Sequence, residues 1–477
     1  RSPGFEPTAS TSGTGSGRIG AATRPGPDVD AVGSNPGDRL GDHRRAAVVG
    51  IVEDLDLQPV AVARVRADGV DIRHRQRSHR GGYKAGALAD GLQHARGELV
   101  AIFDADFVPP PDFLRRTVGH FTDPEVGFVQ GRWGHLNGDE SWLTRLQVPA
   151  IDGHFLVEQQ ARGVAGHWFN FNGTAGVWRV AAITDAGGWQ GDTLTEDLDL
   201  SYRAHLRGWC GVYRPDVVAP AELPGDPTAF RRQQHRWARG SLECARKLLG
   251  PIWASPAALS TKVQATFHLL AYGVHLLLLL MVLTYPAVVL ATTGSGPTPW
   301  WHGAAVLPNV MSVAPVVFLV AGQRAQGRRI RPTTLAATVV YGSGLMVNTG
   351  RAAFEILHRP NPVFERTAKR GGRPAAAGEA YPALGLDGGA EGSGHRPGRR
   401  RLDRIVLAEA GLALYATATA WFAISRGSWG VAAYATLFAA GLAAVAVTTV
   451  AGVVAPRSGR RRRLVDRVPV PVAAPPS

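Results

Sequence analysis

Two carboxylates separated by one residue, Asp104 and Asp106, directly follow the apolar run Leu99–Phe103. A run of this length and composition is typical of a strand buried on both faces of an α/β sheet. Such sheets bind their ligands at the carboxyl ends of the strands. The pair is therefore suited to hold a hard divalent cation, Mg²⁺ or Mn²⁺, while a phosphate supplies further oxygen ligands. For an isolated pair, capping of the turn and of the next helix is the alternative interpretation.

A second acidic pair, Glu196 and Asp197, follows Thr195. The spacing of Leu198 and Tyr202 fits one face of a helix, which predicts Thr195 at the N-cap and the two acids in the first turn. Capping alone would explain these acids. The functional interpretation is that one of them faces the cation site as a general base, because a carboxylate can remove the proton from a sugar hydroxyl that attacks.

Two basic elements could bind phosphate. The glycine-rich turn from Gly81 to Gly86 contains Lys84 and precedes a helix predicted over residues 87–95; a turn of this kind is either a phosphate-binding element or simply flexible. Farther along, Gln233, Arg236 and Trp237 share one face of a predicted basic helix. Here the arginine can neutralise a pyrophosphate and the tryptophan offers a flat ring to a sugar, although a lipid-facing surface has a similar composition.

The positioning of these groups requires a sizeable α/β domain. Residues 1–45 are rich in Gly, Ser, Pro and Arg and are predicted to be disordered. Residues 46–250 are assigned to the α/β domain, which has a possible strand over 48–52 and alternates short apolar runs with helical stretches from Leu99 to about Trp237. Two cysteines exclude a disulfide framework. Fifty-two Lys and Arg against 38 Asp and Glu give a net charge of +14, which favours an anionic partner.

Residues 251–455 are predicted to form a membrane domain. Four apolar segments, 263–291, 303–321, 405–424 and 430–454, are candidate spans. The arginines after the second and fourth segments predict that both of these ends, and the catalytic domain, lie on the cytoplasmic side. That topology requires the helical stretch near 333–357 to lie along the interface and a loop over 358–404 to be cytoplasmic. The juxtamembrane arginines, including those of the basic, proline-rich tail 456–477, favour lipid over nucleic acid.

Taken in order, these motifs resemble the processive, cellulose-synthase-like membrane glycosyltransferases of family 2, a group that includes glucan and mannan synthases. The matching segments are Gly82–Gly86, Phe103–Asp106, Phe171–Thr174, Thr195–Asp197, Gln233–Trp237 and Phe364–Lys369. The resemblance implies a GT-A-type α/β catalytic domain followed by an α-helical transmembrane domain. It also implies inverting transfer of a sugar from a nucleotide-sugar donor to a growing β-linked polysaccharide, with export through the membrane segments.

The resemblance assigns roles at the donor end. Asp104 and Asp106 would bind the nucleotide diphosphate and the metal, Mg²⁺ or Mn²⁺, and Lys84 would lie near the nucleotide. Gln233 and Arg236 would hold the leaving diphosphate. UDP-glucose and GDP-mannose are the leading donors.

Roles at the acceptor end are implied in the same way. Asp197, with Glu196 beside it, would be the catalytic base. The segment Phe171, Asn172, Gly173 and Thr174 would line the acceptor end, and Trp237 would hold the terminal acceptor sugar. Phe364, Thr367 and Lys369 would belong to a gating loop, in which Arg366 stands where the family has an apolar residue.

One part of the family pattern has no convincing counterpart. The sequence predicts that the first strand and the Asp-containing loop that holds the base of the donor are incomplete, and the acidic cluster Glu53, Asp54 and Asp56 lacks the expected context. An inactive, truncated transferase-like membrane protein is therefore one alternative function. A transferase that moves a single sugar onto polyprenyl phosphate is the other. The expected location is the plasma (inner) membrane, with several spans and polysaccharide, nucleotide sugar and lipid as partners.

Overall fold

The computed structural model describes residues 46–50, 75, 77, 81–293, 313–358 and 404–454. Within these residues the centre of the catalytic part is a five-stranded mixed sheet in the order β1-β2-β4-β3-β5. Its strands are β1 (Ala46–Gly50), β2 (Leu99–Phe103), β3 (Val126–His135), β4 (Gly176–Arg179) and β5 (Cys210–Ala221). The pairs β1–β2 and β3–β5 are parallel, whereas β4 runs antiparallel to both β2 and β3.

The apolar run that precedes the first acidic pair forms β2, as its composition predicts. Four of its residues, from Leu99 to Ile102, are buried, because helices cover both faces of the sheet. On one face Val100 and Ile102 join a core with Phe128 and Trp178. On the other face Leu99 and Ala101 contribute to a separate core.

A strand does occupy the position where the sequence suggests that the first strand is incomplete. Ala46–Gly50 pairs in parallel with β2, from Ala46 opposite Leu99 to Gly50 opposite Phe103. It begins two residues before the predicted strand over 48–52. The loop and the acidic cluster that follow it lie outside the described residues.

Seven helices accompany the sheet in the described part of the catalytic region. They are α1 (Tyr83–Leu92), α2 (Phe113–Val118), α3 (Trp142–Gly153), α4 (Gln160–Val164), α5 (Val180–Asp185), α6 (Glu196–Leu206) and α7 (Pro227–Ala254). A 3₁₀ turn, Gly119–Thr122, follows α2, and a π-helical turn, His154–Gln159, joins α3 to α4. Helix α7 crosses residue 250, where the sequence places the boundary between the two domains.

The predicted helix over 87–95 begins earlier than expected. Helix α1 starts at Tyr83, because Gly82 takes the left-handed conformation at the N-cap, with φ of 68°. Lys84 therefore lies in the first turn of the helix and not in the turn before it. The helix predicted after Thr195 is confirmed as α6, with Thr195 at the N-cap, although the threonine side chain makes no capping hydrogen bond.

The remaining described helices lie in the part of the chain where the sequence predicts a membrane domain, called the membrane part below. They are α8 (Leu259–Leu269), α9 (Val274–Thr292), α10 (Ala314–Arg324), α11 (Pro332–Gly344), α12 (Met346–His358), α13 (Ile405–Ser425) and α14 (Trp429–Val454). Three stretches are long and apolar enough to cross a membrane, namely Ala271–Thr292, Ile405–Ser425 and Trp429–Gly452. The predicted segment 263–291 is thus divided, because a 3₁₀ turn at Ala271–Gly273 separates α8 from α9.

The stretch predicted to lie along the interface consists of two helices, α11 and α12, and not one. Helix α11 packs closely on α14, where a Cβ on Gly344 would lie 2.1 Å from the Gly441 carbonyl oxygen. Of the second predicted span, 303–321, only the end lies in the described α10. The segment 1–45, the gating-loop residues Phe364, Thr367 and Lys369, most of the loop 358–404 and the tail 456–477 lie outside the described residues.

Candidate active site

Lys84 joins three distant parts of the chain at the carboxyl end of β2. Its Nζ donates to Asp104 Oδ1 at 2.7 Å and to the Gly173 carbonyl at 2.9 Å, and Glu196 Oε1 lies 4.0 Å away. Burial alone would lower the pKa of this lysine, but the carboxylates of Asp104, Glu196 and Asp197 outweigh burial and raise the pKa. Lys84 therefore stays protonated as the positive centre of an acidic cluster.

The first acidic pair lies where the strand ends, as the sequence predicts. The Asp104 backbone N–H donates to Thr174 Oγ1 at 2.9 Å, which ties the end of β2 to the loop before β4. Asp104 and Asp106 are both half-buried. Hard carboxylate oxygens are ligands that fit Mg²⁺ or Mn²⁺. Within the described part of the chain, no group of three His, Cys, Asp or Glu residues is arranged to hold a metal ion.

The second acidic pair lies close to Lys84, and Gly173 is the residue at which the two meet. Gly173 has a φ of +79°, and a Cβ at this position would lie 2.9 Å from Asp197 Oδ2 and 3.3 Å from Lys84 Nζ. Both the backbone conformation and the lack of a side chain are therefore required here. The two features let the Asp197 carboxylate rest against the loop that also binds Lys84.

The two acids of the second pair differ in exposure. Glu196 is buried and Asp197 is half-buried. Burial raises the pKa of both carboxyls; the charge of Asp197 raises that of Glu196 further, whereas the charge of Lys84 lowers both. A carboxylate with a raised pKa is a stronger base. Asp197, as the more exposed of the two, is the better placed to receive a proton from a bound molecule.

The loop 171–174 is held in place mainly by side chains that are buried in the core. Phe171 has no exposed surface and packs against Phe128 and Trp178, and Thr174 is also fully buried. Both of these side chains therefore lie in the core of the domain. Asn172 is half-buried and Gly173 presents only backbone, so the loop offers Asn172 as its one partly exposed side chain.

Asn172 is oriented by the π-helical turn. Its Oδ1 accepts from Gln159 Nε2 at 2.9 Å, and its Nδ2 lies 3.2 Å from His154 Nε2. Because the amide oxygen is taken by Gln159, the amide nitrogen is the donor to His154, which leaves the other ring nitrogen to donate to Glu158 at 3.0 Å. Extra residues in a π-helical turn often occur at functional sites.

Gln130 supports the same loop and was not singled out from the sequence. Its side chain is fully buried; Oε1 accepts from the Asn172 N–H at 2.8 Å, and Nε2 donates to the Gly131, Thr174 and Ala175 carbonyls. The signal that could have found it is a lone amide at the end of the apolar run of β3, since a buried polar side chain must be hydrogen-bonded.

The basic motif lies on α7, with Gln233 buried and Arg236 and Trp237 half-buried. The Trp237 ring centroid is 6.4 Å from that of Trp133 on β3. One turn farther along the helix, a Cβ on Gly240 would lie 2.5 Å from Thr195 Cγ2. The helix is thus in close contact with the residue that precedes the second acidic pair.

Glu243 on α7 extends this contact, and its role is not predicted from the sequence. Its Oε2 accepts from the Leu194 N–H at 2.9 Å, and its Oε1 accepts from Arg239 Nε at 2.8 Å. Lys247, one turn later, pairs with the buried Asp199 at 2.8 Å. The sequence does contain a signal for these residues, because charged residues repeat at positions i and i+4 along one helix. The same repeat also fits a solvent-exposed face of a helix.

Together, the mixed sheet, the strand-end carboxylates and the acids at the start of α6 define a GT-A-like glycosyltransferase domain. Residues 99–320 match the model of the glycosyl transferase family group 2. This part of the chain is a glycosyltransferase family 2 domain.

Two relatives in sequence come from plants. Glucomannan 4-beta-mannosyltransferase 1 of Oryza sativa subsp. japonica is 46% identical over 225 residues, which cover 45% of this chain and 42% of the relative. Glucomannan 4-beta-mannosyltransferase 2 of Arabidopsis thaliana is 44% identical over 224 residues, which cover 45% of this chain and 41% of the relative. The matched part thus spans less than half the length of these curated relatives.

Two solved structures are similar at low sequence identity. The mannosyltransferase PcManGT from Pyrobaculum calidifontis, in complex with GDP-Man and Mn²⁺, has a TM-score of 0.40 at 22% identity, covering 65% of this chain and 77% of that chain. TarS residues 1–349 of S. aureus have a TM-score of 0.32 at 14% identity, covering 65% of this chain and 78% of that chain.

Proposed function

We propose that the protein transfers a sugar, with inversion, from a nucleotide-sugar donor to a growing β-linked polysaccharide at the cytoplasmic face of the plasma (inner) membrane. The observation that carries this proposal is the meeting of Asp104, Lys84 and Asp197 around Gly173. It joins a strand-end carboxylate suited to a metal and diphosphate with a half-buried carboxylate suited to act as a base.

In the proposed reaction Asp197 accepts the proton of an acceptor hydroxyl. The hydroxyl oxygen attacks the anomeric carbon while the bond from that carbon to the diphosphate breaks, and the nucleoside diphosphate leaves. Because attack and departure take place on opposite faces, an α-linked donor gives a β-linked product. Arg236 and Gln233 hold the leaving diphosphate, since a guanidinium pairs well with phosphate oxygens.

Asp104 and Asp106 would hold Mg²⁺ or Mn²⁺, which would neutralise charge on the diphosphate. Lys84 offsets part of the negative charge of the acidic cluster before the donor binds, and its hydrogen bond to the Gly173 carbonyl fixes the loop beside Asp197. Glu196 is buried with its Oε1 4.0 Å from Lys84 Nζ, so its protonation changes the charge of the site.

The acceptor would contact the half-buried side chains of Trp237 and Asn172. A tryptophan ring provides a surface on which a sugar can stack, and an amide can bind a hydroxyl. The names of the sequence relatives support a mannosyl donor, so GDP-mannose ranks first and UDP-glucose second. We further propose that Phe364, Thr367 and Lys369 gate the donor site, and that the candidate spans form the exit path.

The test is the release of nucleoside diphosphate by the full chain purified in detergent. It is run with Mg²⁺ or Mn²⁺ and a panel of UDP- and GDP-sugars, beside Asp197→Asn. We expect release that requires metal, selects one donor and falls about 100-fold or more in the variant, as expected for loss of a general base. Asp139→Asn changes an exposed acid on a turn and serves as the matched control, which should keep full activity.

The product separates the remaining alternatives. An ethanol-insoluble polymer cleaved by a β-specific glycosidase supports chain extension. A single sugar recovered in the organic-solvent phase would instead identify transfer to polyprenyl phosphate. A folded protein that releases no diphosphate with any donor would contradict the proposal and favour an inactive transferase-like protein.

A further inference from the structure

The last residue of α10 and the short turn between α10 and α11 carry four exposed arginines. They are Arg324, Arg328, Arg329 and Arg331. The sequence contains no Asp or Glu from residue 244 to residue 354, so no acidic side chain of this region compensates them. Within the described residues none of the four takes part in an ion pair. The turn is therefore a concentrated positive patch next to the membrane helices.

An apolar groove opens beside this turn. Its volume is about 320 Å³, and its lining presents almost no polar surface. The groove is formed by three helices: Val316 of α10, Leu437 of α14, and Pro332, Leu335, Ala336, Val339 and Val340 of α11. In a soluble protein such a groove would be covered, whereas next to a candidate span it can hold a hydrocarbon chain.

The positive patch and the groove meet at the start of α11. Arg331 is the N-cap residue of this helix and makes no side-chain capping bond, while Pro332, the first helical residue, already lines the groove. The N-terminal end of a 13-residue helix adds a partial positive charge at the same point. A ligand with an anionic head and an apolar chain would match both parts at once.

The positive patch lies next to the catalytic domain, which is hydrogen-bonded to the turn and to α10. Arg132 NH1 of β3 donates to Gln326 Oε1 in the turn at 3.3 Å, and Gln323 Nε2 of α10 donates to the buried Asp152 carboxylate of α3 at 2.7 Å. A bound headgroup would therefore sit at the junction of the catalytic domain with the membrane part. Clusters of arginine next to a candidate span attract the anionic headgroups of the membrane surface.

We propose that this junction is a binding site for one anionic phospholipid. Its phosphate is held by Arg328, Arg329 and Arg331, and one acyl chain lies in the groove along α11. The inference concerns lipid binding alone and does not depend on the proposed glycosyl transfer.

The test uses the full chain in detergent, with retained lipid measured by native mass spectrometry. Phosphatidylglycerol and phosphatidylcholine with the same oleoyl chains are compared at equal concentration. The triple variant Arg328→Gln/Arg329→Gln/Arg331→Gln should lose retention of phosphatidylglycerol by roughly 100-fold, since each arginine near an anionic headgroup contributes about fivefold. The control triple Arg96→Gln/Arg115→Gln/Arg207→Gln removes the same charge from exposed positions elsewhere and should retain the lipid.

The groove is tested separately. Ala336 is exposed in the groove wall, so Ala336→Phe fills the groove without disturbing a core. It should weaken retention of dioleoyl phosphatidylglycerol while leaving binding of the dihexanoyl form, which depends on the headgroup, unchanged. Equal retention of both headgroups by the wild type, or equal loss in the two triple variants, would overturn the proposal, because binding would then reflect overall charge or detergent-like partitioning.

Discussion

Asp197 Oδ2 lies 2.9 Å from the point that a Cβ on Gly173 would occupy. The glycine also carries a φ of +79° and gives its carbonyl to Lys84. The proposed base is thus positioned by a residue 24 positions earlier in the chain (197 − 173) that has no side chain. Several consequences of this arrangement can be measured.

Gly173→Ala should inactivate the protein. The new methyl group collides with the Asp197 carboxylate, and alanine resists the left-handed conformation at a cost of about 1 kcal/mol. Gly166→Ala is the matched control, because Gly166 has a φ of +67° but a Cβ there would meet no atom within 4 Å. Gly166→Ala should lose only the stability that corresponds to the backbone conformation, and only Gly173→Ala should lose diphosphate release. If the two variants retain equal activity, the contact with Asp197 does not matter for catalysis.

Lys84→Met should shift the pH dependence of kcat. A carboxylate base works in its ionised form, so activity is present above its pKa and is lost as the pH falls through it. Burial raises the pKa of Asp197, and the charge of Lys84 opposes this rise. Removing that charge raises the pKa further, so the acid limb should move to higher pH. Lys262→Met, which removes a lysine bonded to the Trp253 carbonyl, should leave the acid limb unchanged.

Glu243→Gln should lower kcat more than it weakens donor binding. The carboxylate accepts from the Leu194 N–H and pairs with Arg239, and through Leu194 it fixes the chain just before Thr195. We expect a roughly tenfold or larger fall in kcat, because a small displacement of a base is costly. Binding of nucleoside diphosphate, measured by calorimetry, should stay near the wild-type value. Arg246→Gln, an exposed change on the same helix, is the control; a parallel loss of binding and kcat would indicate a general structural role instead.

Glu409→Gln should destabilise the membrane part. Arg231 on α7 donates to Glu409 of α13 at 2.7 Å and to Thr449 of α14 at 2.6 Å, and both charged side chains are almost fully buried. Removing one partner leaves a buried charge uncompensated, which costs about 3 to 5 kcal/mol. The double variant Arg231→Met/Glu409→Leu should recover most of the loss in thermal unfolding in detergent. A single variant as stable as the wild type would show that water reaches this pair.

The local features of the fold followed from the sequence. The apolar run Leu99–Phe103 formed a buried strand, and the helix after Thr195 began where its acids and its spacing predicted. Hydrophobic pattern and helix-end preferences act over a few residues, so they can be read from a short stretch. Two boundaries set by local backbone conformation were predicted wrongly. Helix α1 starts earlier than predicted, after the left-handed Gly82, and a 3₁₀ turn at Ala271–Gly273 divides the first predicted span.

The sequence by itself determined which residue types the site contains, namely the two acidic pairs, the lysine and the glutamine–arginine–tryptophan motif. Tertiary structure alone decided which of them meet. It buried Phe171 in the core, paired Lys84 with Asp104, and left Asp197 more exposed than Glu196. Tertiary structure also brings Gln130 and Glu243 to the site. Their buried side-chain oxygens accept hydrogen bonds from backbone N–H groups that are far away in the sequence. The physical reason is that burial and pairing depend on how separate elements pack together, and no local pattern encodes that packing.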